Sequence, residues 1–232
     1  MDSVARTRQR ILAVSLPVAA VLYLSSAGLN PKGSDQIITT TATAYKLLPI
    51  AAKHPTQLYL SGSLSLLALG ALAVAYAAIA TLVRGRGAAL ATIAALFGGL
   101  GMFAGAILNV LVGFNLAAAA SAHIPRAAAA RFLVTTFNSG AGQIFLYGYL
   151  AAEYIGPVLM GIALWRSRNV PRWLAVLFVL GLEIAEAQSS DAIISVLFML
   201  PFLVAMVVLA ARIWQAAALP VTYSQQPDIV AA

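Results

Sequence analysis

The sequence predicts an all-α, polytopic transmembrane bundle of six spans with both termini in the cytoplasm. Three features carry that prediction: the apolar content, the length of the apolar runs and the placement of the arginines. Hydrophobic residues make up 62% of the 232 and charged residues only 9%, against roughly 25% charged in a soluble domain. A soluble fold of this size could not hide so much apolar surface. A bilayer core needs around 20 helical residues per crossing, and the apolar runs fall at 11–29, 57–82, 88–118, 132–165, 173–188 and 191–214.

Taken in order, the first run follows a basic stretch but has no convincing small-residue cleavage site, so it reads as an uncleaved first helix. The loop after it mixes Ile37, Ile38, Leu47, Leu48 and Ile50 with Thr and Lys between residues 34 and 52. That pattern suits an interfacial amphipathic helix over an outer cavity, or an ordered connector. The third span carries Gly101, Gly105, Asn109 and Gly113 at intervals of four, a stripe that lets helices approach closely. The third and fourth runs exceed the bilayer length, which predicts tilt or helical extensions. Ser189, Ser190 and Asp191 are N-cap types before the sixth helix. Residues 1–219 form one transmembrane domain in this reading, and 220–232 a disordered tail.

Arg6, Arg8, Arg10, Arg84, Arg86, Arg166, Arg168, Arg172 and Arg212 all fall on one side of a six-span arrangement. Lys32, Lys46, Lys53, Arg126 and Arg131 are spread over the longer loops of the other side. This bias sets both termini inside, in a cell membrane. It also explains the net charge of +7 as topology, so nucleic acid is not an expected partner.

Function is sought among the acids. Glu153, Glu183, Glu186 and Asp191 lie in or beside apolar runs, where an ionised side chain costs about 2.5–3.5 kcal/mol on insertion scales and usually faces a cavity, a partner or a pathway. On the fourth span Asn138, Gly142, Phe145, Tyr149, Glu153 and Gly156 share one helical stripe, with Gln143, Tyr147 and Tyr154 on an adjacent one. Pro157 removes the usual backbone partner of the Glu153 carbonyl, so a bend is expected there. Glu183 and Glu186, three residues apart, share a face. Polar groups of spans three to six, Asn109 included, are expected to converge on one outward cavity. No intramembrane Lys or Arg neutralises these acids, so at least one carboxyl is expected to keep its proton at neutral pH. Glu186 and Asp191 also read as interfacial loop residues, and Glu153 and Glu183 as hydrogen-bonded packing residues.

The chain has no cysteine, which excludes thiol nucleophiles and Cys-ligated metals. Its two histidines, His54 and His123, fall in outer loops, so no metal site or haem is expected. G-x-S-x-G, H-E-x-x-H and a P-loop are all absent, which argues against rhomboid-like proteolysis, zincin chemistry and ATP-driven pumping.

The segment Leu164-Trp165-Arg166-Ser167-Arg168, followed by Val170-Pro171-Arg172-Trp173-Leu174-Ala175-Val176-Leu177, resembles the hallmark of an uncharacterised bacterial six-helix membrane family, a domain of unknown function. The resemblance implies a six-helix fold and no activity. Physically the block is an inner-face turn, with Trp165 and Trp173 as interface anchors.

The leading functional expectation is a membrane enzyme that protonates a lipophilic, isoprenoid-like substrate to start cyclisation or isomerisation, by analogy with membrane terpene cyclases. It needs no cofactor. Glu183 is the expected acid and Glu153 its partner, with Glu186 and Asp191 completing the acidic set. Asn138, Gln143, Tyr149, Asn109 and Phe145 are the expected substrate-binding residues. The alternatives are a proton-coupled carrier using the same carboxylates and a non-catalytic accessory protein that exposes a small-residue stripe. Partners are the bilayer, the lipophilic small molecule and, as an option, a second copy of the chain.

Overall fold

A computed structural model describes residues 3–32, 36–121, 124–186 and 192–218. The described residues are helical: α1 (Ser3–Leu29), α2 (Thr41–Lys53), α3 (Pro55–Ala80), α4 (Ala88–Ser121), α5 (Arg126–Phe137), α6 (Gly140–Ser167), α7 (Arg172–Glu186) and α8 (Ala192–Ala218). Five of them, α1, α3, α4, α6 and α8, contain stretches long and apolar enough to cross a membrane. Their outer faces are apolar: Leu100 is 70% exposed, Ile144 73% and Leu96 63%, a coat suited to lipid and costly in water.

The long helices form a closed ring. α1 packs on α3, α3 on α4, α4 on α6, α6 on α7, α7 on α8, and α8 returns to α1. The arginine-bearing turns meet at one end of it. Arg10 lies over the Trp214 ring and Arg172 over the Trp165 ring, each 5.1 Å from the centroid. Asn169 Nδ2 donates to the Leu82 carbonyl at 2.9 Å, tying the α6–α7 turn to the α3–α4 turn. Gly87 sits at φ 102, and a Cβ there would press within 2.8 Å of the Ala163 carbonyl oxygen; glycine lets that turn lie flat on α6. Half-exposed Trp165, Trp173 and Trp214 mark this end as an interface belt.

The glycine stripe of α4 is a packing seam. A Cβ on Gly101 would collide with the Ala152 side chain, and one on Gly105 with the Tyr149 ring. Gly113 faces the Leu58 carbonyl oxygen of α3, which a Cβ would meet at 3.2 Å. Lipid gives little hydrophobic drive for helix association, so such close backbone approach carries the packing.

Two expectations about the helices change. Span 132–165 is two helices, α5 and α6. Asn138 ends α5, and Ser139 adopts an extended conformation as N-cap of α6, accepting a hydrogen bond from Gly142 N at 3.1 Å. Ser139 and Gly140 give the chain a cap and a flexible start at that point, so the break wins over the continuous apolar pattern. Secondly, the loop segment 34–52 contains a shorter helix, α2, capped by Thr40. Its Ala44, Leu47, Leu48 and Ala51 are buried against α4 and α5. The fifth run, 173–188, is a short helix as its length implies: α7 has 15 residues and rises only about 22 Å at 1.5 Å per residue. Asp191, the caps Ser189 and Ser190, His123 and the tail lie outside the described residues.

Two apolar clusters result. The larger fills the arginine-rich end and middle of the ring, around Leu16, Leu72, Tyr76, Met160, Leu164, Phe178 and Phe202. The smaller lies at the opposite end, where α2 and α5 cap α4 and the start of α6, around Leu47, Leu116, Leu133 and Leu146. Tyr149 packs against both.

Candidate functional site

Between the two clusters is a cavity of about 330 Å³. α1 contributes Tyr23 and Ser26, with Asn30 just after its end; α3 contributes Leu58, Ser61 and Ser65; α4 contributes Leu108, Asn109 and Val112; α6 contributes Leu146, Tyr149 and Glu153. Gln36 and Ile37, from the segment after α1, close one edge. These residues come from the last turns of α1, the first half of α3, the second half of α4 and the first half of α6. Given the alternating helix directions, they belong to the half of the ring away from the arginines.

Glu153 is the centre of the site. It is 6% exposed and lies near the middle of α6. Tyr149, one turn earlier, donates its hydroxyl to Glu153 Oε1 at 3.0 Å. That i,i+4 pair requires Tyr149 to lie along the seam, and Gly105 leaves the room for its ring. Asn109 sits one turn after Gly105 and gives Nδ2 to the Gly105 carbonyl at 3.0 Å. On the facing wall, Ser26 and Ser61 exchange hydrogen bonds: Ser26 Oγ donates to the Ser61 carbonyl at 3.3 Å, and Ser61 Oγ to the Ser26 carbonyl at 3.2 Å. Ser65 Oγ adjoins Ser26 Oγ. Paired hydroxyls meet the need of buried polar groups for partners.

The structure brings Glu153, Tyr149 and Asn109 together and leaves Glu183, Phe145, Asn138 and Gln143 out of the lining. Glu183, on α7, is not part of the lining. It lies close enough to Glu153 to feel its charge, and its Oε1 is buried with no hydrogen bond from a described residue. Phe145 is half-buried on α6 away from the cavity. Asn138 and Gln143 belong to the α5–α6 junction. Asn138 Nδ2 donates to the Thr39 carbonyl at 3.1 Å, and Gln143 Nε2 reaches the Phe137 carbonyl and Asn138 Oδ1, both at 3.2 Å. The helix break moves Asn138 off the stripe and turns it to bracing the segment after α1. Glu186 is the last residue of α7, and Asp191 is outside the described residues.

The described part of the cavity is therefore made by the first four long helices, not by spans three to six. The residues missed were Tyr23, Asn30, Gln36 and the serines. Ser61 and Ser65, spaced i,i+4 inside an otherwise apolar run, were the available signal. The lining contains Tyr but neither Phe nor Trp, which makes it more polar than the hydrocarbon-shaped pocket expected. Among the described residues no three His, Asp or Glu side chains gather to hold a metal ion.

No family model matches the chain, and no curated protein and no solved structure matches it.

Proposed function

We propose that this is a six-span carrier of the cell membrane, its arginine-rich end cytoplasmic, that binds a small hydrogen-bonding solute in the cavity and couples its passage to a proton held by Glu153. The termini of the bundle, the start of α1 and the end of α8, are then both inside. α7 makes the sixth crossing; local thinning of the bilayer meets its short length.

The observation that carries this reading is the position of Glu153: buried, at the middle of α6, and facing a cavity confined to one half of the bundle. A carboxyl at that depth holds or passes protons in pumps and carriers, and carrier sites lie near the midplane. Two further features support it. Pro157 follows Glu153 by one turn, and Pro17 and Pro201 stand near the middles of α1 and α8. Each removes a rung from its helix ladder, where bending is easiest. Glu183, on α7 packed against α6, lies outside the cavity lining and offers a second carboxyl for the proton. An accessory role is less well supported, because Gly101 and Gly105 are buried in the α4–α6 seam instead of exposed.

The test is purified protein in proteoliposomes with a trapped pH dye. A solute gradient should move protons with wild type and not with Glu153→Gln at equal incorporation. Proton movement that survives Glu153→Gln sinks the reading.

A second reading, acid catalysis on an amphiphilic isoprenoid or its epoxide, is favoured by the Tyr149–Glu153 pair. It makes Glu153 the acid in place of Glu183. Mass spectrometry showing Glu153-dependent chemical change of such a compound would favour it over the carrier.

A further inference from the structure

We infer that the cavity is selective for small organic ammonium ions, the charged nitrogen seated on Glu153. This rests on the solute-binding reading above and names its ligand class.

Glu153 is the one charged side chain in the described lining; no Lys, Arg or His reaches it. Several neutral groups around it have already spent hydrogens on the protein. Tyr149 gives its hydroxyl hydrogen to Glu153, Ser26 to the Ser61 carbonyl and Ser61 to the Ser26 carbonyl. The Ser26–Ser65 contact uses one hydroxyl hydrogen, from whichever of the two donates. Asn109 turns its amide nitrogen to the Gly105 carbonyl, which leaves its oxygen as the end not bound to the helix. The lining also holds the polar Tyr23, Asn30, Gln36 and Tyr154, but Glu153 alone sets its charge. An anion would meet that carboxyl with no cationic side chain among the described lining residues to receive it. An ammonium brings up to three donors and no acceptor, and a charge-assisted bond to the carboxylate is about twice as strong as a neutral one.

Leu58, Leu108, Val112, Leu146 and Leu150 give the lining an apolar portion. That portion suits a short hydrocarbon or aryl body beside the nitrogen. The volume, about 330 Å³, is at the small end of ligand pockets, which run to roughly 1,000 Å³.

The test uses three probes of one shape and different charge: phenethylamine as its ammonium ion, 2-phenylethanol and phenylacetate. Each is titrated calorimetrically into the full chain in lipid nanodiscs at neutral pH. The amine should bind about tenfold or more tighter than the alcohol, and phenylacetate should not bind. Glu153→Gln should remove that preference, and Thr92→Val, exposed near the start of α4 and outside the lining, should keep it. Equal affinity for amine and alcohol overturns the inference, as does no amine binding by folded wild type or a preference that survives Glu153→Gln. If Glu153→Gln does not fold by size exclusion, Asn109→Leu takes its place. It removes one acceptor and should weaken amine binding about fivefold or more, and unchanged amine affinity overturns the inference. Failure here is separable from failure of the carrier reading: alcohol binding without charge preference leaves Glu153-dependent proton movement intact, whereas loss of proton coupling with amine binding kept removes the carrier and leaves the site.

Discussion

The two halves of α6 are built from the same kind of sequence and do different work. After Glu153 the helix is dry: Gly156, Pro157, Met160, Gly161, Ala163 and Leu164 are buried, with Gly156 against the Tyr76 ring and Gly161 against Val179. Before it, Tyr149 and Leu146 border a cavity whose opposite wall is serine. Glu153 stands at the boundary, where the seal of small residues stops and polar partners begin. A membrane bundle tolerates a carboxyl where one side is closed by packing and the other is open to hydrogen-bonding groups. The closed half holds the helices, and the open half has room for a ligand.

This contrast breaks first, and most visibly, in the dry half. Leu164→Ala should cost about 2–5 kcal/mol, the range for a fully buried leucine, read as a lowered unfolding midpoint in detergent. Gly101→Ala should cost about 1–3 kcal/mol by overpacking against Ala152. If either variant were as stable as wild type in the same assay, the seam would not be what holds α4 to α6.

The cavity half should respond in the opposite proportion, with small effects on stability and larger ones on function. Tyr149→Phe keeps the ring in the Gly105 notch and deletes the bond to Glu153. It should lose about 0.5–1.5 kcal/mol of stability and slow Glu153-dependent proton movement in proteoliposomes. Ser26→Ala should be the mildest, near 0.6 kcal/mol, the average measured for hydrogen bonds between membrane helices. A Ser26→Ala cost equal to that of Leu164→Ala would erase the distinction between the halves.

The legible and illegible parts of the sequence divide along physical lines. The apolar runs announce the long helices, because crossing a bilayer demands length and composition together. Glu153, Tyr149 and Asn109 were readable because spacing of four on one helix places groups on one face. The break at Asn138–Ser139 was not read, because a two-residue cap inside a 34-residue apolar pattern hardly changes its hydropathy. The serine wall was not read because periodicity gives a residue's angle on its own helix and not which helix it faces. Serine is also common in such helices as plain packing. Asn138 and Gln143 show the converse: polar residues aligned on paper with Glu153 are used for capping once the helix starts at Gly140.

The chain contains no cysteine, so single cysteines report water access without background. The most direct measurement is labelling of Ser65→Cys and Ala163→Cys by a charged, membrane-impermeant thiol reagent applied to the outer face of right-side-out vesicles. Ser65 lines the cavity and Ala163 is buried in the arginine-side half. The account predicts modification at position 65, slowed by Tyr149→Trp or another bulky filling of the cavity, and none at position 163. An inert cysteine at 65, or equal labelling at both positions, would contradict a water-reachable cavity that ends at Glu153.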